Sequence, residues 1–264
     1  MSKISFTSGS HKHLIESTTD TTFTLEFNDK SSGSLFLEID GEGTLDLIYD
    51  LGAYGNWSIL VMNRSSKSLT ITEDIRLHEF SKLSMNYGEL SYGSHIKNTV
   101  ANFLGHDSEL DLNSAILSFD SIKWSIMANH LAKRSKANVN NQAIVLKNAH
   151  LDLDIIGKIE NGNSGSETHQ MTRIMNLGDG LKTIVHPQLL IEENDVAASH
   201  AASVGQANEE HIYYLQSRGL TRQESLKLIV LGYLMPIVHL IPEQESKDTL
   251  EKEIESKVME AWTI

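Results

Sequence analysis

At 264 residues, 40% hydrophobic and 22% charged, with only three prolines, the chain has the balance of a folded globular protein with ample core, which excludes extensive disorder. A net charge of −13 would repel a phosphate backbone and rules against a nucleic-acid partner. The absence of cysteine excludes disulfides and any zinc or iron site whose thiolates come from this chain alone.

The start, Met1-Ser2-Lys3-Ile4-Ser5-Phe6, has no apolar signal region, and no run approaches the length of a membrane span. A cytoplasmic protein with no membrane contact is therefore expected. His11 and His13 flank Lys12 and would share one face of a strand, but no third ligand lies near and the pair is read as incidental.

From about Thr21 to Ile191 apolar and polar residues alternate with period two, the signature of half-buried strands. Thr22–Phe27, Leu35–Ile39, Leu45–Tyr49, Ile59–Met62, Leu69–Thr72, Glu109–Leu112 and Leu151–Ile155 all show it. Leu-Asp-Leu recurs at 45–47, 110–112 and 151–153, a sign of internal repetition. In Ser121–Ala137 the first half reads as strand and Lys133-Arg134-Ser135-Lys136 as a solvated turn. Asn161–Ser166 has the composition of a flexible loop. Short strands spaced in this way suit a sandwich, a barrel or a β-helix, and the pattern does not choose among them.

Asp152 and Asp154 would lie on one face of a strand, where β-helix enzymes place catalytic acids. Their Leu-x-Leu setting reads them as ordinary solvent-facing residues. His106 and His130 are isolated, and His186-Pro187 leads into a strand at 188–191.

From Asn208 onward the period becomes helical. Asn208 is an N-cap followed by Glu209 and Glu210, and Gly219 a C-terminal stop. Thr221-Arg222-Gln223-Glu224 is a capping box opening a second helix with Leu226, Ile229, Val230 and Tyr233 on its apolar face, which Pro236 should end or kink. A third, acidic amphipathic segment, Glu243 to Trp262, carries Leu250, Ile254, Val258 and Ala261 in a stripe. The chain thus divides into a β region, 1–205, and a helical region, 206–264.

Between them, Asp195–Gly205 presents His200 in a run of small residues, read as a turn that leaves the imidazole unshielded. Pro187-x-Leu189-x-Ile191-x-x-x-Asp195-Val196, then Ser199-His200, Tyr213-Tyr214-Leu215 and Ser217-Arg218-Gly219-Leu220, resembles the C-terminal signature of the SufB/SufD family of iron–sulfur cluster assembly proteins, in its SufD-like form. The resemblance covers Pro187 to Gly232 in detail and the β region in character.

It implies a mainly β fold, a right-handed parallel β-helix followed by a small C-terminal helical region. It implies a non-enzymatic scaffold subunit working with a SufB-type subunit, or as a homodimer, and with a SufC-type ABC ATPase. The cofactor would be a transient iron–sulfur cluster held with partner thiolates, and His200 the candidate ligand at the subunit interface. Arg218, Tyr213, Tyr233 and the stripe Leu250, Ile254, Val258 are the candidate partner contacts. The family turn usually reads Ser-His-Gly. Here Ala201 replaces the glycine, which requires negative φ, and Ala198 stands where a cysteine is often found. Relatives usually carry an added N-terminal helical region, so the chain reads as a shortened member. No P-loop, nucleophile elbow, dinucleotide fingerprint or zincin pair occurs. The alternatives are a β-helix carbohydrate binder or enzyme, using Trp57 and Trp124, and a plain interaction module.

Overall fold

Two parallel sheets of eight strands each face one another in the computed structural model, which describes residues 2–18 and 20–261. The chain alternates between them, so odd strands form one sheet and even strands the other. The odd sheet contains β1 (Ser2–Phe6), β3 (Thr21–Phe27), β5 (Gly43–Leu51), β7 (Leu69–Leu77), β9 (His95–Phe103), β11 (Ser121–His130), β13 (His150–Ile159) and β15 (Lys182–Ile191). The even sheet contains β2 (Gly9–Ser17), β4 (Ser32–Gly41), β6 (Asn56–Asn63), β8 (Lys82–Glu89), β10 (Glu109–Ser118), β12 (Lys136–Val145), β14 (Ser166–Asn176) and β16 (Val196–Gln206). The result is a parallel β-solenoid of about seven turns, as the resemblance implied.

Each coil stacks the same kind of side chain on the coil before it. One inward column runs Phe27, Leu51, Leu77, Phe103, His130, Ile159, Ile191 from strand to strand. The Leu-Asp-Leu repeats are rungs of such columns, their leucines inside and their aspartates outside. One corner is stacked as regularly. Lys30, Tyr54, Phe80, Asp107 and Arg134 all have positive φ, and each donates its amide hydrogen to a carbonyl of the next coil. The residue that follows is Ser31, Gly55, Ser81, Ser108 or Ser135, and each serine hydroxyl bonds the carbonyl three residues back. This repeat of corners, at intervals of one coil, is a signal the period-two reading overlooks.

A polar island lies inside the lumen at β7–β9. Glu73 accepts hydrogen bonds from Tyr49 Oη (3.3 Å), Tyr87 Oη (2.9 Å) and Thr99 Oγ1 (2.5 Å). Lys97 pairs with Glu89, both side chains wholly buried, and its ammonium sits 4.3 Å and 4.0 Å from the Tyr87 and Trp124 ring centroids. Burial, and then Glu73, push both tyrosine hydroxyls well above their usual range.

Three helices follow: α1 (Glu209–Ser217), α2 (Arg222–Leu240) and α3 (Gln244–Ala261). Asn208 and the Thr221/Glu224 capping box cap α1 and α2 as expected, and Gly219 has φ +97°. Pro236 does not end α2, which continues to Leu240. Its missing hydrogen bond falls at the Gly232 carbonyl, while Leu234, Ile237 and Val238 on either side are buried and hold the helix against its neighbours. α2 and α3 lie on the outer face of the even sheet, where Leu60, Met62, Ala115, Leu117 and Ile144 complete a second core. Trp262, the expected end of α3, is outside the described residues. Among the described residues no helix is long and apolar enough to cross a membrane.

Candidate functional site

The last coil, β15 and β16, ends both sheets, so its outer edges and its inward side chains are open. His200 lies there, in the middle of β16. The turn expected around it is a continuous extended strand, in register with β14 from Ser166↔Val196 to Asn176↔Gln206. Small alternating residues that suggest a turn in isolation are here held straight by eleven paired positions. Ala201 is accordingly not among the residues with positive φ, and the substitution of the family's glycine is accommodated.

Register fixes where His200 points. Its partner Gln170 faces the lumen and is buried, so the imidazole faces the lumen's open end, exposed and flanked on the same face by Ala198 and Ala202. Among the described residues no hydrogen bond reaches either ring nitrogen of His200 (compare His169, whose Nδ1 lies 2.8 Å from Ser199 Oγ). Val185, Pro187, Leu189 and Ile191 face the same opening from β15. Gln170 Oε1 and Thr168 Oγ1, just beneath, are buried with no partner. An imidazole so placed has both ring nitrogens free for a ligand.

The strand itself is unusual for an edge. Val196–Gln206 carries no charged side chain, and eight of its residues are alanine, serine or valine. Exposed edges normally carry lysines, prolines or bulges that prevent pairing. β2, at the other end of the same sheet, carries Lys12 and Glu16.

The other expected contacts divide. Tyr213 (74% exposed) stands out from α1, and Arg218, its C-cap, stacks its guanidinium 5.2 Å from the Tyr214 ring. Tyr233 is half-buried, and burial pushes its hydroxyl above the usual range while nearby Arg173 opposes the shift. Leu250, Ile254 and Val258 are wholly buried between α3, α2 and the even sheet. The stripe read as a docking face is thus the face α3 turns to its own core, because the sheet beneath offers an apolar surface of matching width. The other side of α3 is exposed and acidic. Trp57 and Trp124, which a sugar groove would have used, are both buried in the lumen.

Residues 14–233 match the family model described as "SUF system FeS cluster assembly, SufBD core domain". The chain is 31% identical over 180 residues to the iron–sulfur cluster assembly protein SufD of Bacillus subtilis, covering 67% of this chain and 41% of that protein. It is 26% identical over 165 residues to an iron–sulfur cluster assembly SufBD family protein of Mycobacterium tuberculosis (61% and 18% covered). A Mycobacterium leprae member is 24% identical over 195 residues (71% and 21%). The chain therefore spans 18% to 41% of the length of these curated relatives.

Proposed function

The chain belongs to the SufB/SufD family of iron–sulfur cluster assembly proteins, and from that premise we propose that it is a SufD-like scaffold subunit, not a catalyst. The observation that carries this reading is the bare last coil: an uncharged eleven-residue edge strand with His200 at its centre, facing an open lumen. A SufB-type subunit would continue both sheets across β15 and β16, and a second copy of this chain would take its place in isolation. Closing that joint buries Val185, Leu189 and Val204 and sets His200 beside the partner's groups.

With no cysteine of its own, the chain offers the nascent cluster an imidazole, and the thiolates come from the partner. A SufC-type ABC ATPase would dock on the exposed side of the helical region, through Tyr213, Arg218 and the outer face of α3. This reading leaves the core of the helical region intact as the lever between ATPase and solenoid.

Co-expression with a SufB-type and a SufC-type protein tests the reading. Stable co-elution of all three, with His200→Ala eluting alike but building no cluster, is the expected result. Normal cluster yield from His200→Ala would remove the site assignment. Elution of the chain alone, with or without nucleotide, would overturn the scaffold role.

A further inference from the structure

The outer face of the odd sheet, across β13 and β15, carries a second group of ligand-type side chains. Asp152 and Asp154 are two apart on β13 and both point away from the lumen, since Leu151, Leu153 and Ile155 between and beside them are fully buried. His186 on β15 is the register partner of Asp154, with its Nδ1 3.1 Å from Asp154 Oδ1. One ligand atom from each of the three lies within 4.8 Å of the others.

We propose that Asp152, Asp154 and His186 form a binding site for a divalent first-row transition ion. This does not depend on the scaffold reading.

Three observations separate the site from a surface ion pair. First, the separations suit a metal. Bonds of about 2.0–2.2 Å put neighbouring ligand atoms roughly 3 Å apart, the spacing His186 and Asp154 already have. Asp152 brings the third ligand atom within 4.8 Å of both.

Second, one carboxylate is uncommitted. Among the described residues Asp152 has no hydrogen bond or ion pair, although Lys123 faces it in register on β11.

Third, the strand that carries both carboxylates is held before any ion arrives. β13 is hydrogen-bonded on both sides, to β11 and β15. Pro187 restricts His186 to extended backbone, the conformation in which it faces Asp154. The donor set, two carboxylate oxygens and one imidazole nitrogen, suits iron, manganese, cobalt or zinc in the divalent state better than magnesium or calcium, which take oxygen alone. Three protein ligands leave open positions for water or for a donor from a molecule docked on β15.

Titrating the full untagged chain with cobalt(II), followed by visible absorption, and with zinc(II) by calorimetry tests the site. The expected result is one equivalent bound, weakened about tenfold or more by Asp152→Asn and by His186→Ala. All three side chains are exposed or half-buried, so the variants should keep the wild-type melting curve, and Asp154→Asn serves as a third check. Equal binding by wild type and the variants, loss only with His11→Ala/His13→Ala, or equally tight binding of magnesium would each overturn the proposal. Because the assay uses this chain alone, failure to co-elute with any partner leaves its outcome unaffected.

Discussion

Gln170 lies in register beneath His200 and reaches across the lumen, donating an Nε2 hydrogen to the Gln188 carbonyl at 3.2 Å. The residue that supports the site thus ties the even sheet to β15 of the odd sheet. His200 itself makes no such bond. His200→Ala should therefore leave the denaturant midpoint within about 0.5 kcal/mol of wild type. Gln170→Ala should cost about 1 kcal/mol or more, because it leaves the Gln188 carbonyl unpaired and opens space in the lumen. Equal losses in chemical unfolding would show that His200 is structural.

A charge aimed into the open lumen should block association while sparing the fold. Ala202 faces inward on β16 and is exposed. Ala202→Lys is expected to abolish co-elution with a SufB-type subunit and any self-association in light scattering, with unchanged circular dichroism. Retained association would place the joint elsewhere.

Acid should weaken the chain through His130. It stands in the apolar column between Phe103 and Ile159, stacked 4.4 Å from the Phe103 ring, and burial lowers its pKa from 6.5 to about 4. The unfolded state therefore binds the proton first. The stability held by the neutral ring is complete above pH 6.5 and is lost as pH falls toward 4, by up to about 3 kcal/mol. His130→Gln, which does not titrate, should show a flatter melting temperature between pH 7 and pH 4, whatever its stability at pH 7. Parallel curves would assign the acid sensitivity to other groups.

The buried Lys97–Glu89 pair makes a sharper prediction. Removing one partner leaves a lone charge in the lumen, so Lys97→Met or Glu89→Gln alone should cost about 3–5 kcal/mol. The double variant should recover most of that loss, a coupling measurable by a double-mutant cycle in denaturant. Additive losses would mean that the pair contributes only through its separate neighbours.

Ile254→Ala should destabilise by about 2–5 kcal/mol, because the side chain is enclosed by α2 and the even sheet. A variant with normal stability and lost ATPase binding would restore the stripe Leu250, Ile254, Val258 as a contact surface.

The strands were legible because each has one face inside, and alternation such as Leu45-Asp46-Leu47 records that directly. Helix starts were legible because caps are local chemistry, as Asn208 and Thr221 show. What lay hidden depends on neighbours distant in sequence. Val196–Gln206 looks like a turn until β14 is beside it. Lys97 looks like an outward residue until Glu89, Tyr87 and Trp124 enclose it. The α3 stripe was found correctly, but only the apolar outer face of β6–β12 decides what it covers. The Asp152–Asp154 pair was seen, and His186, 32 residues from Asp154, joins it only through the coil.

In a solenoid each coil touches only its neighbours, so opening can begin at either end and peel inward. The α2–α3 pair alters that rule here. It rests on β6, β10 and β12 at once, and Arg64 beyond β6 adds a bond to Glu253 at 2.5 Å. The middle coils are thereby clasped into one cooperative block, while β15 and β16 lie beyond the clasp. Amide hydrogens of the last coil should exchange well before those of β10, leaving the joining surface pliant on a rigid shaft.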